Sequence, residues 1–299
     1  MKIFDFSRTT VAALWDEPTG SWQYVLIDSA TNRAAIIDPV LDFDAMAAAT
    51  GTRNADAILA FVKERALTVD WILDTHPHAD HFSAAPYLAE KLGAPRAIGE
   101  KVVEVQKLWS DIYCFGDVAV DGSQWDRLLA DGDSFTIGET KVRVLLSPGH
   151  TLASITYVTD EVAFVHDTLM MPDMGTSRAD FPGGDAGALF ASIQRILALP
   201  GETALFVGHD YDKEGREVQC CASVADHKSR NVHIGGGRSE ADFVELREAR
   251  DATLPLPKLM LAALQVNIRG GRLPDPEPCG HAFLKIPLNR FHPPENAGK

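Results

Sequence analysis

The stretch His76-Pro77-His78-Ala79-Asp80-His81 constrains this chain more than any other. Three imidazoles and a carboxylate in six residues are not what packing asks for. Neutral histidine nitrogens and aspartate oxygens are the ligands that zinc, iron and manganese accept. Upstream, residues 69–74 (VDWILD) read as a buried strand; downstream, 83–92 carries helical spacing. The histidines therefore fall on a strand-to-helix loop, where side chains can converge on an ion. A plainer alternative makes Asp80 the helix cap and leaves the histidines on a solvated loop. A cap, however, needs one such residue and not four.

Charge narrows the partners. Among 299 residues the formal net charge is −14, which argues against nucleic acid and against an anionic membrane surface. A small anionic substrate stays possible only through a local cluster of arginines. Hydrophobic content of 45% is enough for a full core. The first residues, MKIFDFSRTT, carry no apolar stretch of signal-peptide length, and no run approaches a membrane span. The cysteines Cys114, Cys220, Cys221 and Cys279 include no CxxC pair, so a zinc ribbon is not expected. Free thiols in a reducing cytoplasm are the expectation, with a redox pair at Cys220-Cys221, in a polar helix or loop, as the alternative.

In chain order, 22–28 and 33–39 are apolar runs split by a four-residue turn, a hairpin signal. Residues 58–67 have helical spacing, then come the strand, the His-rich loop and the helix to 92. A short strand at 97–98 and a helix over 100–113 follow. From 127 to 165 the pattern is strands punctuated by Gly and Asp. A helix over 185–199, a strand over 204–210, a helix over 240–250 and a Pro-rich segment from 254 complete the reading. Strands, helices, strands, helices suit packed sheets with helices outside, in a single domain over 1–299 with a C-terminal extension over 254–299.

Three further candidates end strands: His150 in LLSPGHT, Asp167 in FVHDT and His209 in FVGHDY. Each is weak alone, but with the loop they make a set of the right size for one or two metals. Together, His76-x-His78-x-Asp80-His81, His150, Asp167 and His209 resemble the metallo-β-lactamase superfamily. That resemblance, over about 20–215, implies a four-layered αββα sandwich of the α/β class, with the site where the two sheets meet at an edge. It implies His76, His78 and His150 for one metal, Asp80, His81 and His209 for a second, and Asp167 between them. His166, before Asp167, stands where the family usually has a small residue, so a crowded strand end is expected, with His166 supporting the site or at the surface.

The segment MPDMGTSRADFPGGDA (171–186) and the ending LPKLMLAALQVNIRGGRLP are similar to persulfide dioxygenases. That narrower resemblance implies one Fe(II) held by His76, His150 and Asp167, a facial triad that leaves positions open for substrate and oxygen. Gly270 takes the place of a cysteine that some eukaryotic members carry after Asn-x-Arg. The implied reaction oxidises glutathione persulfide with O2 to sulfite and glutathione, within sulfur metabolism. The rival is a hydrolase of the glyoxalase II type with two Zn(II), splitting a thioester or ester. Asp80 is then a ligand in the two-metal case and an imidazole acceptor in the one-iron case.

Around the ligands, Arg178 is a candidate for a substrate carboxylate or for an ion pair with Asp180. Tyr211 is a candidate to donate its hydroxyl to substrate, or is an ordinary core tyrosine. Arg216 and Arg269 are further anion-binding candidates. A homodimer is the expected assembly.

Overall fold

The computed structural model describes residues 1–211 and 215–291. The N-terminal part is built from strands whose two faces are both apolar. β1 (Lys2–Asp5) pairs with β2 (Thr9–Asp16), and β3 (Ser21–Asp28) with β4 (Arg33–Ile37) forms the expected hairpin, with Asn32 at positive φ in its turn. Trp22, Tyr24 and Leu26 of β3 point to one side and Val25 and Ile27 to the other, and all are buried. A strand covered on both faces needs a layer on each.

After β4 come the small strands β5 (Val40–Asp44) and β6 (Ala49–Gly51), helix α1 (Arg53–Glu64) and β7 (Thr68–Leu73), which lies parallel to β4. Next are β8 (Phe82–Ser83), α2 (Ala85–Leu92), β9 (Arg96–Gly99), α3 (Val102–Tyr113) and β10 (Arg127–Leu129). The first sheet runs β1-β2-β3-β4-β7-β9-β10, and β6-β5-β8 form a small one beside it. The helix expected over 83–92 starts at Ala85, because Ser83 is tied into β8 against Val40. The helix expected over 58–67 starts earlier and ends at Glu64, since Asn54 and Ala55 are already buried in its first turn.

The second sheet holds β11 (Ser134–Ile137), β12 (Thr140–Leu146), β13 (Ile155–Val158), β14 (Val162–His166), β15 (Ala204–Val207) and β16 (Cys221–Ser223), side by side in that order. Helix α4 (Ala186–Leu197) crosses from β14 to β15, and α5 (Val224–Arg230), α6 (Glu240–Asp251) and α7 (Met260–Asn267) follow β16. Tyr24 and Leu26 of the first sheet meet Phe164 and Phe206 of the second in the inter-sheet core. Helices α1 and α2 cover the first sheet's outer face, and α4 and α6 the second's. This is the four-layered αββα sandwich.

Two expectations change. Cys220 and Cys221 are not in a polar loop: Cys221 begins β16, Cys220 is 1% exposed, and burial pushes the Cys221 thiol up to about 12. Such thiols are poor nucleophiles, which removes the motive for a redox pair. The segment from 254 contains helix α7, whose sequence MLAALQVN is buried on nearly every side and so lacks the one-sided period that marks a surface helix. Residues 292–299 of the extension lie outside the described residues. No described helix is long and apolar enough to cross a membrane.

Candidate metal centre

Four elements of both sheets end at one place. The loop after β7 brings His76, His78, Asp80 and His81; the turn after β12 brings His150; Asp167 directly follows β14, and His209 comes two residues after β15. Gly149, at φ +129°, allows the His150 turn to lie on α4, since a Cβ there would sit 2.3 Å from the Leu189 backbone. Asp80 does not cap α2: the residue at that position is Ala84, with no side-chain cap.

The carboxylate of Asp167 is the centre of the set. Its Oδ2 lies 3.5 Å from His150 Nε2 and 3.8 Å from His76 Nε2. Its Oδ1 lies 3.3 Å from His209 Nε2, which is itself 3.4 Å from Asp80 Oδ2. Two ligand groups result, His76–His150–Asp167 and Asp80–Asp167–His209, each with donor atoms within 4.8 Å of one another. A third, His78–Asp80–His81, adjoins them.

Each imidazole is fixed by its other nitrogen. His150 Nδ1–H donates to the Arg178 carbonyl at 2.9 Å, and His209 Nδ1–H to the Gly20 carbonyl at 3.0 Å. His81 Nδ1 is 2.7 Å from Asp80 Oδ2, and His76 Nδ1 is 3.1 Å from Thr75 Oγ1. His78 is the reverse tautomer, with Nε2–H on Asp38 Oδ1 at 2.9 Å and Nδ1 turned inward. The inward atoms (Nε2 of His76, His81 and His209, Nδ1 of His78, Oδ1 of Asp167) are buried and have no hydrogen-bond partner among the described residues. Buried polar atoms left without partners cost about 1–3 kcal/mol each, so five of them among these adjoining ligand groups fit a bound cation. One nitrogen held and the other presented is how metal-ligating histidines are oriented.

Burial would lower His209, yet Asp167 beside it holds its imidazole well above the usual range, whereas at His76 and His78 the electrostatics favour the neutral ring. Burial and the neighbouring His78 hold His76 well below the usual imidazole range, and burial with His81 brings His78 down to about 4. Both are therefore neutral, the form that binds metal. Burial would raise Asp167, yet His209 and His166 hold its carboxyl well below the carboxylate range. The donor set of this cluster, histidine nitrogens and aspartate oxygens, fits a divalent metal.

Two residues of the centre carry weak sequence signals. Asp38 is fully buried at φ +49° and accepts from Thr75 N at 2.7 Å and Thr75 Oγ1 at 2.9 Å as well as from His78. Its one sequence signal is an acid closing an apolar strand, and the following Pro39 makes that look like an ordinary turn. His166 is not at the surface. It is 3% exposed at φ +38°, 3.1 Å from Asp38 Oδ2 and 3.2 Å from Asp167 Oδ1. The expected crowding is relieved opposite it, where a Cβ on Gly208 would fall 2.5 Å from His166 Cε1.

The four rim candidates divide. Tyr211 lies flat on His209, ring centroids 5.4 Å apart and planes 6° apart, and is 45% exposed, so it is no core residue. Arg178 gives its fork to Asp180 at 2.6 and 2.7 Å and a further bond to the Pro255 carbonyl at 2.6 Å. Arg216 is a correction: its five N–H groups go to Asp173, Asp210 and the Glu217 carbonyl. It ties the chain after His209 together and has no fork left for a substrate. Arg269 stacks on Phe115, its charge centre 4.5 Å from the ring, and reaches Asp117 at 3.2 Å.

The model of the metallo-β-lactamase superfamily matches residues 17–209. A β-lactamase hydrolase-like protein of Agrobacterium fabrum is 61% identical over 93% of this chain, and the match spans 64% of that relative's length. Persulfide dioxygenase ETHE1 of Bos taurus is 28% identical, with 86% of this chain and 87% of the relative covered. Hydroxyacylglutathione hydrolase of Brucella anthropi is 32% identical, with 71% and 72% covered. Among solved structures, ETHE1 from Myxococcus xanthus has a TM-score of 0.70 at 31% identity, with 88% of this chain and 99% of that one covered.

Proposed function

Since the chain belongs to the metallo-β-lactamase superfamily, we propose that it is an iron-dependent persulfide dioxygenase acting on glutathione persulfide. His76, His150 and Asp167 would hold one Fe(II), which supplies oxygen activation beside the terminal sulfur. The balance is one persulfide, one O2 and one water giving glutathione, sulfite and two protons; the terminal sulfur is oxidised and O2 is reduced.

The observation that carries this reading is the loop 175–181, the part most like persulfide dioxygenases. It sits on the triad: Ser177 Oγ donates to the Asp167 carbonyl at 2.5 Å, and the Arg178 carbonyl orients His150. Gly175, at φ +92°, lets the loop close on His233, because a Cβ there would lie 2.2 Å from that ring. His233 Nδ1 accepts from Thr176 N at 2.9 Å, and Asp251 accepts from Ala179 N at 2.9 Å. A loop that merely connected two elements would not need these fastenings.

The chain's own residues then divide the work. Asp80 accepts from Ser21 at 2.9 Å and holds His81; burial would raise its carboxyl, yet His81 and His209 keep it well below the usual range, so it stands beside the triad as a fixed carboxylate. Tyr211 lines the approach.

A second reading, a two-zinc thioester hydrolase of the glyoxalase II type, is favoured by the intact Asp80–Asp167–His209 group. Protein purified without oxygen separates the two. One iron per chain and oxygen uptake with glutathione persulfide, matched by sulfite, supports the dioxygenase. Two zinc ions, hydrolysis of S-lactoylglutathione and no oxygen uptake would assign the hydrolase.

A further inference from the structure

Asn267 ends α7 and is 3% exposed. Its Oδ1 accepts from Ser83 N at 2.9 Å, while Nδ2 donates to the carbonyls of His78 and of His81, both at 2.7 Å. Both amide hydrogens are used, so the orientation of the amide is fixed. The bonds fall on the backbone that carries His78, Asp80 and His81. That backbone lies between β7 and β8, with no strand or helix of its own to satisfy its carbonyls.

The surroundings are built for this approach. Gly271, at φ +80°, passes so close that a Cβ would lie 2.7 Å from the Ser83 carbonyl. From the other side, the Ile268 carbonyl accepts from Gln106 Nε2 and the Gly270 carbonyl from Arg96 Nη1, both at 2.8 Å. The end of α7 is thus pinned by α3 and β9 and presents one amide to the metal loop.

We propose that Asn267 is a positioning residue for the metal centre: it holds the two carbonyls so that the loop keeps its imidazoles aimed before an ion arrives. The inference rests on the metal centre alone and is the same for the dioxygenase and the hydrolase. Asparagine is the side chain that suits. Aspartate lacks the two donors, and an apolar residue leaves both carbonyls and one N–H buried without partners.

The test needs a residue that fastens α7 without touching the loop, and Gln265 is that residue. It bonds the Leu261 and Lys285 carbonyls at 2.5 and 2.6 Å and accepts from Lys285 N at 2.8 Å. The full chain, freed of metal, is titrated with Co(II) against a competing chelator, with the cobalt absorption bands as readout. Asn267→Asp should weaken Co(II) binding roughly ten- to a hundredfold. Gln265→Leu should lower the melting temperature and leave Co(II) binding unchanged. Asn267→Ser, a smaller perturbation, is measured in the same way if Asn267→Asp does not fold, and a tenfold loss is again expected.

Wild-type affinity in the Asn267 variants, or equal losses in Asn267→Asp and Gln265→Leu, would overturn the inference. Failure of the wild-type chain to bind Co(II) at all would instead refute the metal centre itself.

Discussion

The imidazoles of the pit and the arginines of the rim differ in what surrounds their polar atoms. Every imidazole assigned to the pit has one nitrogen fixed by a neighbour, and most present the other without a partner. Arg178 and Arg216 have their forks closed by carboxylates. A ligand set is recognised by what it leaves open. An arginine in a chain of net charge −14 is surrounded by acids and is readily captured by one. Residue type alone therefore says much about the pit and little about the rim.

The largest effect that could break this contrast is the loss of a triad ligand. His150→Ala or Asp167→Ala should reduce metal content and activity to background, as measured by metal analysis and oxygen uptake. Full metal content in either variant would show that the open atoms serve something else. Removing an arginine fork should act on stability instead. Arg216→Ala strips the charge partner from Asp210, which is 1% exposed, and should cost about 3 kcal/mol with metal content and KM unchanged. At roughly 2–4 °C per kcal/mol, calorimetry would show a drop of about 6–12 °C. A raised KM at an unchanged melting temperature would return Arg216 to the substrate.

The fastening of the 175–181 loop has its own pH signature. Burial, with Arg247 and Arg250 nearby, brings His233 down to about 4, and its Nδ1 accepts the Thr176 N–H, which only the neutral ring can do. The unfolded chain takes up a proton near 6.5 and the folded one near 4. Stability from this residue is therefore full above about 6.5 and falls as pH drops towards 4, by up to about 3 kcal/mol. His233→Gln cannot titrate, so its stability should fall less over that window than the wild type's. Parallel pH curves for the two proteins would remove His233 from the latch.

How much was legible in the sequence follows from the same contrast. His76, His78, His81, His150, Asp167 and His209 were legible because each closes or follows an apolar strand, where a polar residue must face something. Asp38 closes a strand too, but Asp-Pro is also an ordinary turn, and nothing local says that His78 lies beneath it. Asn267 was hidden for a different reason. A helix buried all round has no polar face to define its period, so α7 read as the start of a tail. Arg178 was left between two roles, because spacing places Asp180 within reach and cannot say whether the fork closes.

The smallest expected effect concerns that fork. Arg178 is bound to Asp180 and to the Pro255 carbonyl, and its own carbonyl orients His150. Arg178→Ala should thus cost about 1–2 kcal/mol of stability, since charge-assisted bonds at a partly buried site are of that size. It should lower kcat a few-fold by loosening His150, and leave KM for the substrate nearly unchanged. Asp180→Ala should do the same, and the double variant should cost little more than either single one, because both remove one interaction. Additive losses with a tenfold rise in KM confined to Arg178→Ala would mean that the fork opens to a substrate carboxylate, and the line between pit and rim would then run differently.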